Sequence, residues 1–176
     1  MDAISLSQIN CLHPKIRQEV LNAYNYINTK LLGKGIRLRL TQSLRIDMEQ
    51  TNLYALGRTK PGKKVTNAKA GQSIHNYGLA FDIVILLDKN GDGIFESVSW
   101  NTTADDDNNG VADWVEVATY FKKQGWIWGG DWKSFPDYPH FEKTFGHTWK
   151  TLMVKQQQGD VFIEIVNGVT YKWVTI

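Results

Sequence analysis

"GQSIHNYGLAFDIVILLDKNGDG", Gly71–Gly93, decides how this chain is read. Its centre, "LAFDIVILL" from Leu79 to Leu87, is an apolar run of strand length, rich in residues that suit a pleated, buried surface. It predicts a buried strand. Two features do not suit a plain core strand. Asp82 lies inside the run, where a lone ionised carboxylate is costly unless it is paired, hydrogen-bonded or metal-bound. His75 enters just before the strand, and the small residues Gly78 and Ala80 leave space around it. Beyond Leu87 the chain breaks into Asp, Asn and Gly, which reads as a cation loop.

Outward from this strand the pattern mixes helices and strands. "LHPKIRQEVLNAYNYINTKLL" carries Ile16, Val20, Ala23, Tyr24, Ile27 and Leu31 at helical spacing, with Pro14 suited to a first turn and Gly33 and Gly35 at the end. "IRLRLTQ" alternates apolar and polar residues and predicts a half-buried strand. "IDMEQTNLYALG" returns to helical spacing and stops at Gly57. "RTKPGKKVTNAKAGQ" is a basic loop. Further on, "VADWVEVATYFKKQG" predicts an amphipathic helix, "HFEKT" a short strand and "GHTWKTLMVKQQQG" a helix. "DVFIEIVNGVTYKWVTI" predicts a hairpin turning at Asn167-Gly168. Without regular βαβ repetition the class is α+β.

With 176 residues, 42% hydrophobic and 12% aromatic, the chain suits one globular domain with a real core. A formal charge of +2 argues for neither nucleic acid nor membrane partners. The one cysteine, Cys11, excludes an internal disulfide and reads as a packing residue. "MDAISLSQIN" has neither the basic leader nor the apolar core of a signal peptide, so synthesis as a soluble cytoplasmic chain is expected. Charge is unevenly placed: Arg58, Lys60, Lys63, Lys64 and Lys69 follow one another without an acid, whereas Asp82–Glu116 holds nine acids and one base, Lys89.

Four histidines occur. His13 precedes a helix-starting proline and reads as a surface or capping residue; His147 follows a glycine. His75 and His140 have carboxylates at useful distances. In "SFPDYPHFE", Asp137 stands three residues before His140, between two backbone-restricting prolines. Two imidazoles and one carboxylate make a catalytic zinc set with a fourth position for water. A further carboxylate that does not ligate takes the proton from that water. His75, Asp82 and His140 fit the ligands and Asp137 the base. On spacing alone, core histidines with polar partners fit the same residues.

"SIHNYGLAFD" follows the pattern Ser-x-His-x-x-Gly-x-Ala-x-Asp, and "WGGDW" with "DYPHFE" supplies a second half. Together they resemble the zinc peptidases that include D-alanyl-D-alanine carboxypeptidases and the L-alanyl-D-glutamate peptidases of phage endolysins. "LHPKIR", "LRLTQSLR", "EQTNLYALGRT" and "TNAKAGQS" resemble the endolysin branch, so the similarity runs from about Leu12 to Gly146 in order. The resemblance implies a small, mainly antiparallel sheet carrying zinc, flanked by helices, as in hedgehog-like and DD-peptidase folds. It implies His75, Asp82 and His140 as zinc ligands and Asp137 as acid/base. It further implies Arg45 as the group that holds and polarises substrate oxygen, and Ser73 as a substrate or supporting contact. Around Arg45 the chain departs from the family: Ser43, Leu44 and Ile46 replace the usual glycine-aromatic pair and following Ser or Thr.

"DDDNNGVADWVE", Asp105–Glu116, matches the twelve-residue calcium loop of EF-hands. Asp105, Asp107, Asn109 and Asp113 fall at ligand positions one, three, five and nine, the Val111 carbonyl at seven and Glu116 at twelve. Gly110 permits the sharp turn. An Asp/Asn-rich turn without an ion is the other reading. "DKNGDGIFE" places Asp88, Asn90, Asp92 and Glu96 with the early spacing, but Ser99 stands where the bidentate glutamate belongs.

The expectation is thus a catalytic domain over residues 1–150, with a cation-loop insertion at about 88–116, and a C-terminal extension over 151–176, part of the same domain, adding strands to the catalytic sheet. Of Trp126, Trp128 and Trp132, at least two are expected in the core. The expected activity is zinc-dependent hydrolysis of peptidoglycan stem peptides by an endolysin-type L-alanyl-D-glutamate endopeptidase. It is expected to act as a monomer, to reach the wall after release by a partner and to need no membrane insertion. Rivals are a D-alanyl-D-alanine carboxypeptidase or dipeptidase and a non-catalytic, zinc-stabilised wall-binding module.

Overall fold

The computed structural model describes residues 2–176. Helix α1 (Ala3–Asn10) leads, and no periodicity announced it, because only Ser5 and Ile9 on it are buried. It is fixed at its start by Asp2, which accepts hydrogen bonds from the Ser5 backbone, the Tyr24 hydroxyl and Arg39 Nε. Helix α2 (Pro14–Tyr26) opens on Pro14, with the His13 ring accepting from the Lys15 N–H as cap. His13 is a cap as expected but not a surface residue: it is buried, and its Nε2 lies 3.0 Å from the Val174 carbonyl. The last turn widens into a π-turn over Ile27–Leu31.

Strand β1 (Ile36–Gln42) pairs antiparallel with β2 (Ala80–Leu87), the predicted central strand. The main sheet runs β1-β2-β5-β4, where β4 is Ile127–Trp128 and β5 is His140–Glu142; β3 (Ser97–Ser99) lies against the far half of β2. All these pairings are antiparallel, as expected for an α+β fold of this kind. Helix α3 (Asp47–Ala55) follows β1, α4 (Asp113–Lys123) follows the acidic insertion, and α5 (Trp149–Gln157) follows β5.

The register of β2 and β5 matters most. Asp82 pairs with His140 and Phe81 with Phe141. Because successive side chains on a strand point to opposite faces, Asp82 and His140 share one face while Phe81 and Phe141 share the other. The phenylalanines pack with Phe121 of α4 and with Trp126, at ring-centroid distances of 4.9–5.8 Å. Of the three tryptophans only Trp126 is buried in the core, fewer than expected; Trp128 packs partly buried against it.

The C-terminal strands β6 (Val161–Val166) and β7 (Val169–Val174) correct one expectation: they do not extend the catalytic sheet but form a separate two-stranded hairpin. Asn167 and Gly168 both take positive φ, 51° and 79°, which closes the strands on each other. Trp173 and Val174 are buried, Trp173 donates to Glu164, and Glu164 takes both guanidinium amines of Arg17 on α2 at 2.8 and 2.9 Å. The hairpin therefore braces the start of α2. Cys11 lies 3.3 Å from the Tyr171 hydroxyl on the same brace.

Gly78 joins brace to site. It has φ 67°, its carbonyl accepts from the His13 N–H, and an added Cβ would stand 2.6 Å from the Trp173 ring and 3.0 Å from the His13 nitrogen. Gly78→Ala combines left-handed strain with that clash, so a loss of about 2 kcal/mol or more is expected. Urea unfolding of the variant beside the parent measures it.

Candidate metal centre

Three separate parts of the backbone deliver the predicted ligands. His75 sits on a 3₁₀ turn (Ile74–Tyr77), Asp82 near the start of β2 and His140 at the start of β5. His75 Nε2 lies 3.1 Å from Asp82 Oδ1 and 3.0 Å from His140 Nδ1, and His140 Nδ1 lies 3.2 Å from the same Asp82 oxygen. Ligand atoms about 2.0–2.1 Å from a tetrahedral zinc stand roughly 3.3 Å from one another. The triangle is of that size.

The other ring nitrogens fix the direction of the lone pairs. His75 Nδ1 is 2.7 Å from the Ser43 carbonyl and donates to it; His140 Nε2 is 3.0 Å from Glu142 Oε2 and donates to that carboxylate. With those protons turned outward, His75 Nε2 and His140 Nδ1 present lone pairs to each other and to a carboxylate oxygen. Three acceptors in such contact need a positive charge between them. Burial by itself would raise Asp82; the neighbouring His75 and His140 outweigh it and hold the carboxyl far below the usual range. Burial by itself would lower His140; Asp82 and Glu142 outweigh it and push the imidazole up to about 9, so positive charge belongs at this corner of the triangle, as a second ring proton or as the metal ion that replaces it. The donor set and its outward hydrogen bonds fit zinc.

Arg45 is drawn in by its own backbone. Its N–H donates to the His75 carbonyl, and its carbonyl accepts from Asn76 Nδ2. Its Nη2 is 3.4 Å from Asp82 Oδ2, the oxygen turned away from the two imidazoles, and its Nη1 donates to Gln50 Oε1 at 3.1 Å. Gln50, fully buried, is itself held by the Ala68 carbonyl at 2.7 Å.

Asp137 lies in the turn before β5 and lines the same cleft of about 760 Å³ as Arg45, His75, Asp82 and His140. Burial, then the Asp82 charge, raises its carboxyl above the ordinary aspartate range, against the opposing pull of His140, His75 and Arg45. Gly129 makes its position possible. The Asp137 N–H donates to the Gly129 carbonyl, and a Cβ on Gly129 would stand 2.4 Å from the Asp137 carbonyl oxygen. The first glycine of "WGGDW" therefore admits the Asp137–His140 turn, while the second, Gly130, lies against the Trp128 ring. Ser73 lines the cleft, as do His147 and Trp132, whose ring is 5.1 Å from that of His140.

Sequence reasoning missed Ser43, Gln50 and Glu142. The first acts through its carbonyl and carries no side-chain signal. Glu142 was legible in principle, since it stands two residues after His140 on one strand and shares its face.

The acidic insertion forms two further clusters. Carboxylate oxygens of Asp105, Asp107 and Asp113 lie within 4.8 Å of one another, as do those of Asp88, Asp92 and Glu96. Burial first, then Asp106 and Asp107, push Asp113 up to about 7.

Comparison with known proteins shows the family. The family described as D-alanyl-D-alanine carboxypeptidase matches residues 66–143, which contain His75, Asp82, Asp137 and His140. The peptidoglycan L-alanyl-D-glutamate endopeptidase CwlK of Bacillus subtilis (strain 168) is 43% identical over 131 residues, covering 74% of this chain and 72% of CwlK. The crystal structure of the Serratia marcescens L-Ala D-Glu endopeptidase ChiX has the same fold, with a TM-score of 0.51 at 23% identity over 82% of this chain and 90% of that one. The chain belongs to the D-alanyl-D-alanine carboxypeptidase family of zinc-dependent peptidoglycan metallopeptidases.

Proposed function

We propose that this protein hydrolyses the bond between L-alanine and D-glutamate in peptidoglycan stem peptides, with His75, Asp82 and His140 as zinc ligands. The observation that carries the reading is the set of inward-facing lone pairs beside a free carboxylate, Asp137, in one open cleft. The choice of bond rests on the 43% identity to CwlK. The catalytic unit is read as residues 1–150, with 88–116 as an insertion and 151–176 as an extension of the same domain.

Zinc in such a site supplies Lewis-acid activation of water and of the scissile carbonyl. The chain supplies the rest. Asp137, unpaired and raised above the normal aspartate range, accepts the proton of the attacking water and returns it to the leaving amine. Arg45, steadied by Gln50, offers its guanidinium to the substrate oxygen on which charge develops. Ser43 and Glu142 hold the imidazoles in the ligating tautomers. Trp132, Phe135 and Trp149 add apolar walls for the peptide. Asp137 and Arg45 in one cleft favour an enzyme over a wall-binding module. The family description favours the carboxypeptidase alternative, which uses the same groups on a different bond.

Defined muropeptides with mass-spectrometric product analysis separate the two. Release of a peptide beginning with D-glutamate is expected; release of terminal D-alanine alone would establish the alternative. Asp137→Ala should keep its zinc by metal analysis and lose about 10²–10⁴-fold in rate. Unchanged hydrolysis would remove Asp137 from the mechanism. Glu142→Ala should weaken zinc binding about 10–100-fold, measured by competition with a chromogenic chelator.

A further inference from the structure

We propose that the loop Asp105–Glu116 is a calcium site that fastens the insertion to the start of β1. The loop's acidity would not carry this by itself. The second observation is a pair of stranded oxygens. Asp113 is 1% exposed, and its Oδ1 is buried without a hydrogen-bond partner; Glu116 Oε2 is likewise buried and unpartnered. A buried carboxylate oxygen with no donor is costly. Asp113 Oδ2 receives only the Asp106 N–H at 3.3 Å. Among the described residues, none of Asp105, Asp107, Asp113 and Glu116 forms an ion pair with a Lys, Arg or His.

The chemistry selects the ion. Asp105, Asp107, Asn109, the Val111 carbonyl, Asp113 and Glu116 offer oxygen alone, with four carboxylates, of which Glu116 is able to bind through both oxygens. A hard cation of high coordination number suits this set; zinc, which prefers nitrogen and sulfur at four-coordinate sites, does not. Asp113 and Glu116 sit on the first turn of α4, so a shared ion ties that helix to the loop before it.

The loop is also anchored outside itself. Asp107 Oδ2 accepts from the Gly33 N–H at 2.9 Å, and a Cβ on Gly33 would stand 2.3 Å from Asp107 Cβ. Gly33 stands three residues before the start of β1, the strand whose far end pairs Gln42 with Asp82. Asp88, which leaves β2, donates its N–H to the Gly35 carbonyl. The calcium loop therefore closes the end of the β1–β2 pair away from Asp82. From Asp82 to Asp88 the strand extends about 20 Å, so calcium acts on stability and not on the hydrolytic groups. The 88–96 loop has no stranded buried oxygen and stays outside this proposal.

The test uses the full chain loaded with zinc, with calcium chloride as the probe and no chelator present. Calorimetric titration should give saturable binding with a Kd on the order of 10⁻⁶–10⁻³ M. The melting temperature should rise by about 5–10 °C at a hundredfold excess over Kd. Zinc content and the initial rate on muropeptides below the melting range should stay unchanged, so the result stands apart from any failure of the peptidase reading. Glu116→Gln should weaken calcium binding at least tenfold and abolish the thermal shift; if that variant does not fold, Asp105→Asn carries the same test. Absence of heat and thermal shift up to 10⁻² M calcium, a scale beyond even weak extracellular sites, overturns the proposal. So does a shift that survives both substitutions.

Discussion

Everything in the cleft depends on three acceptors being pressed together with their protons turned away. Asp82 Oδ1, His75 Nε2 and His140 Nδ1 stand 3.0–3.2 Å apart. That arrangement is tolerable only with positive charge at its centre, and the fold enforces it from outside. The Ser43 carbonyl and the Glu142 carboxylate each hold the remote nitrogen of one ring. Remove either, and an imidazole is free to turn its proton inward, where it competes with a metal.

The same economy governs the neighbourhood. Arg45 spends one amine on the outer oxygen of Asp82 and another on Gln50, so its charge faces the cleft without crowding the ligand oxygen. The Asp137 turn is close because Gly129 has no side chain to keep it out. Beneath the site, Phe81 and Phe141 carry the opposite faces of the ligand-bearing strands into an aromatic core with Phe121 and Trp126. Strand alternation thus links the core directly to the chemistry: a slip of one residue between β2 and β5 would bury Asp82 or His140 among phenylalanines.

Away from the cleft, two additions support the sheet from different sides. The C-terminal hairpin presses Trp173 against Gly78 and holds α2 through Glu164, close to the turn that bears His75. The acidic insertion meets Gly33 and Gly35 at the other end of β1. Neither contributes a side chain to the ligand triangle. Both act on the strands and turns that hold it.

Local patterns in the sequence determined much of this. The apolar run with one aspartate in it, the two histidine motifs and the Asp137 turn named the central strand, the ligand candidates and the family, because each depends on residues near one another in the chain. The α2 spacing, the Asn167-Gly168 turn and the alternation of β1 were legible for the same reason. Helix α1 escaped notice because its buried face is two residues wide. Only tertiary structure decided what lies between distant segments. It set the antiparallel register that puts His140 opposite Asp82, and it turned the Ser43 carbonyl and Gln50 into supports. It also folded the last strands onto α2 instead of the sheet. Those outcomes depend on which surfaces meet, and a backbone carbonyl or a buried glutamine leaves no periodic trace in the sequence.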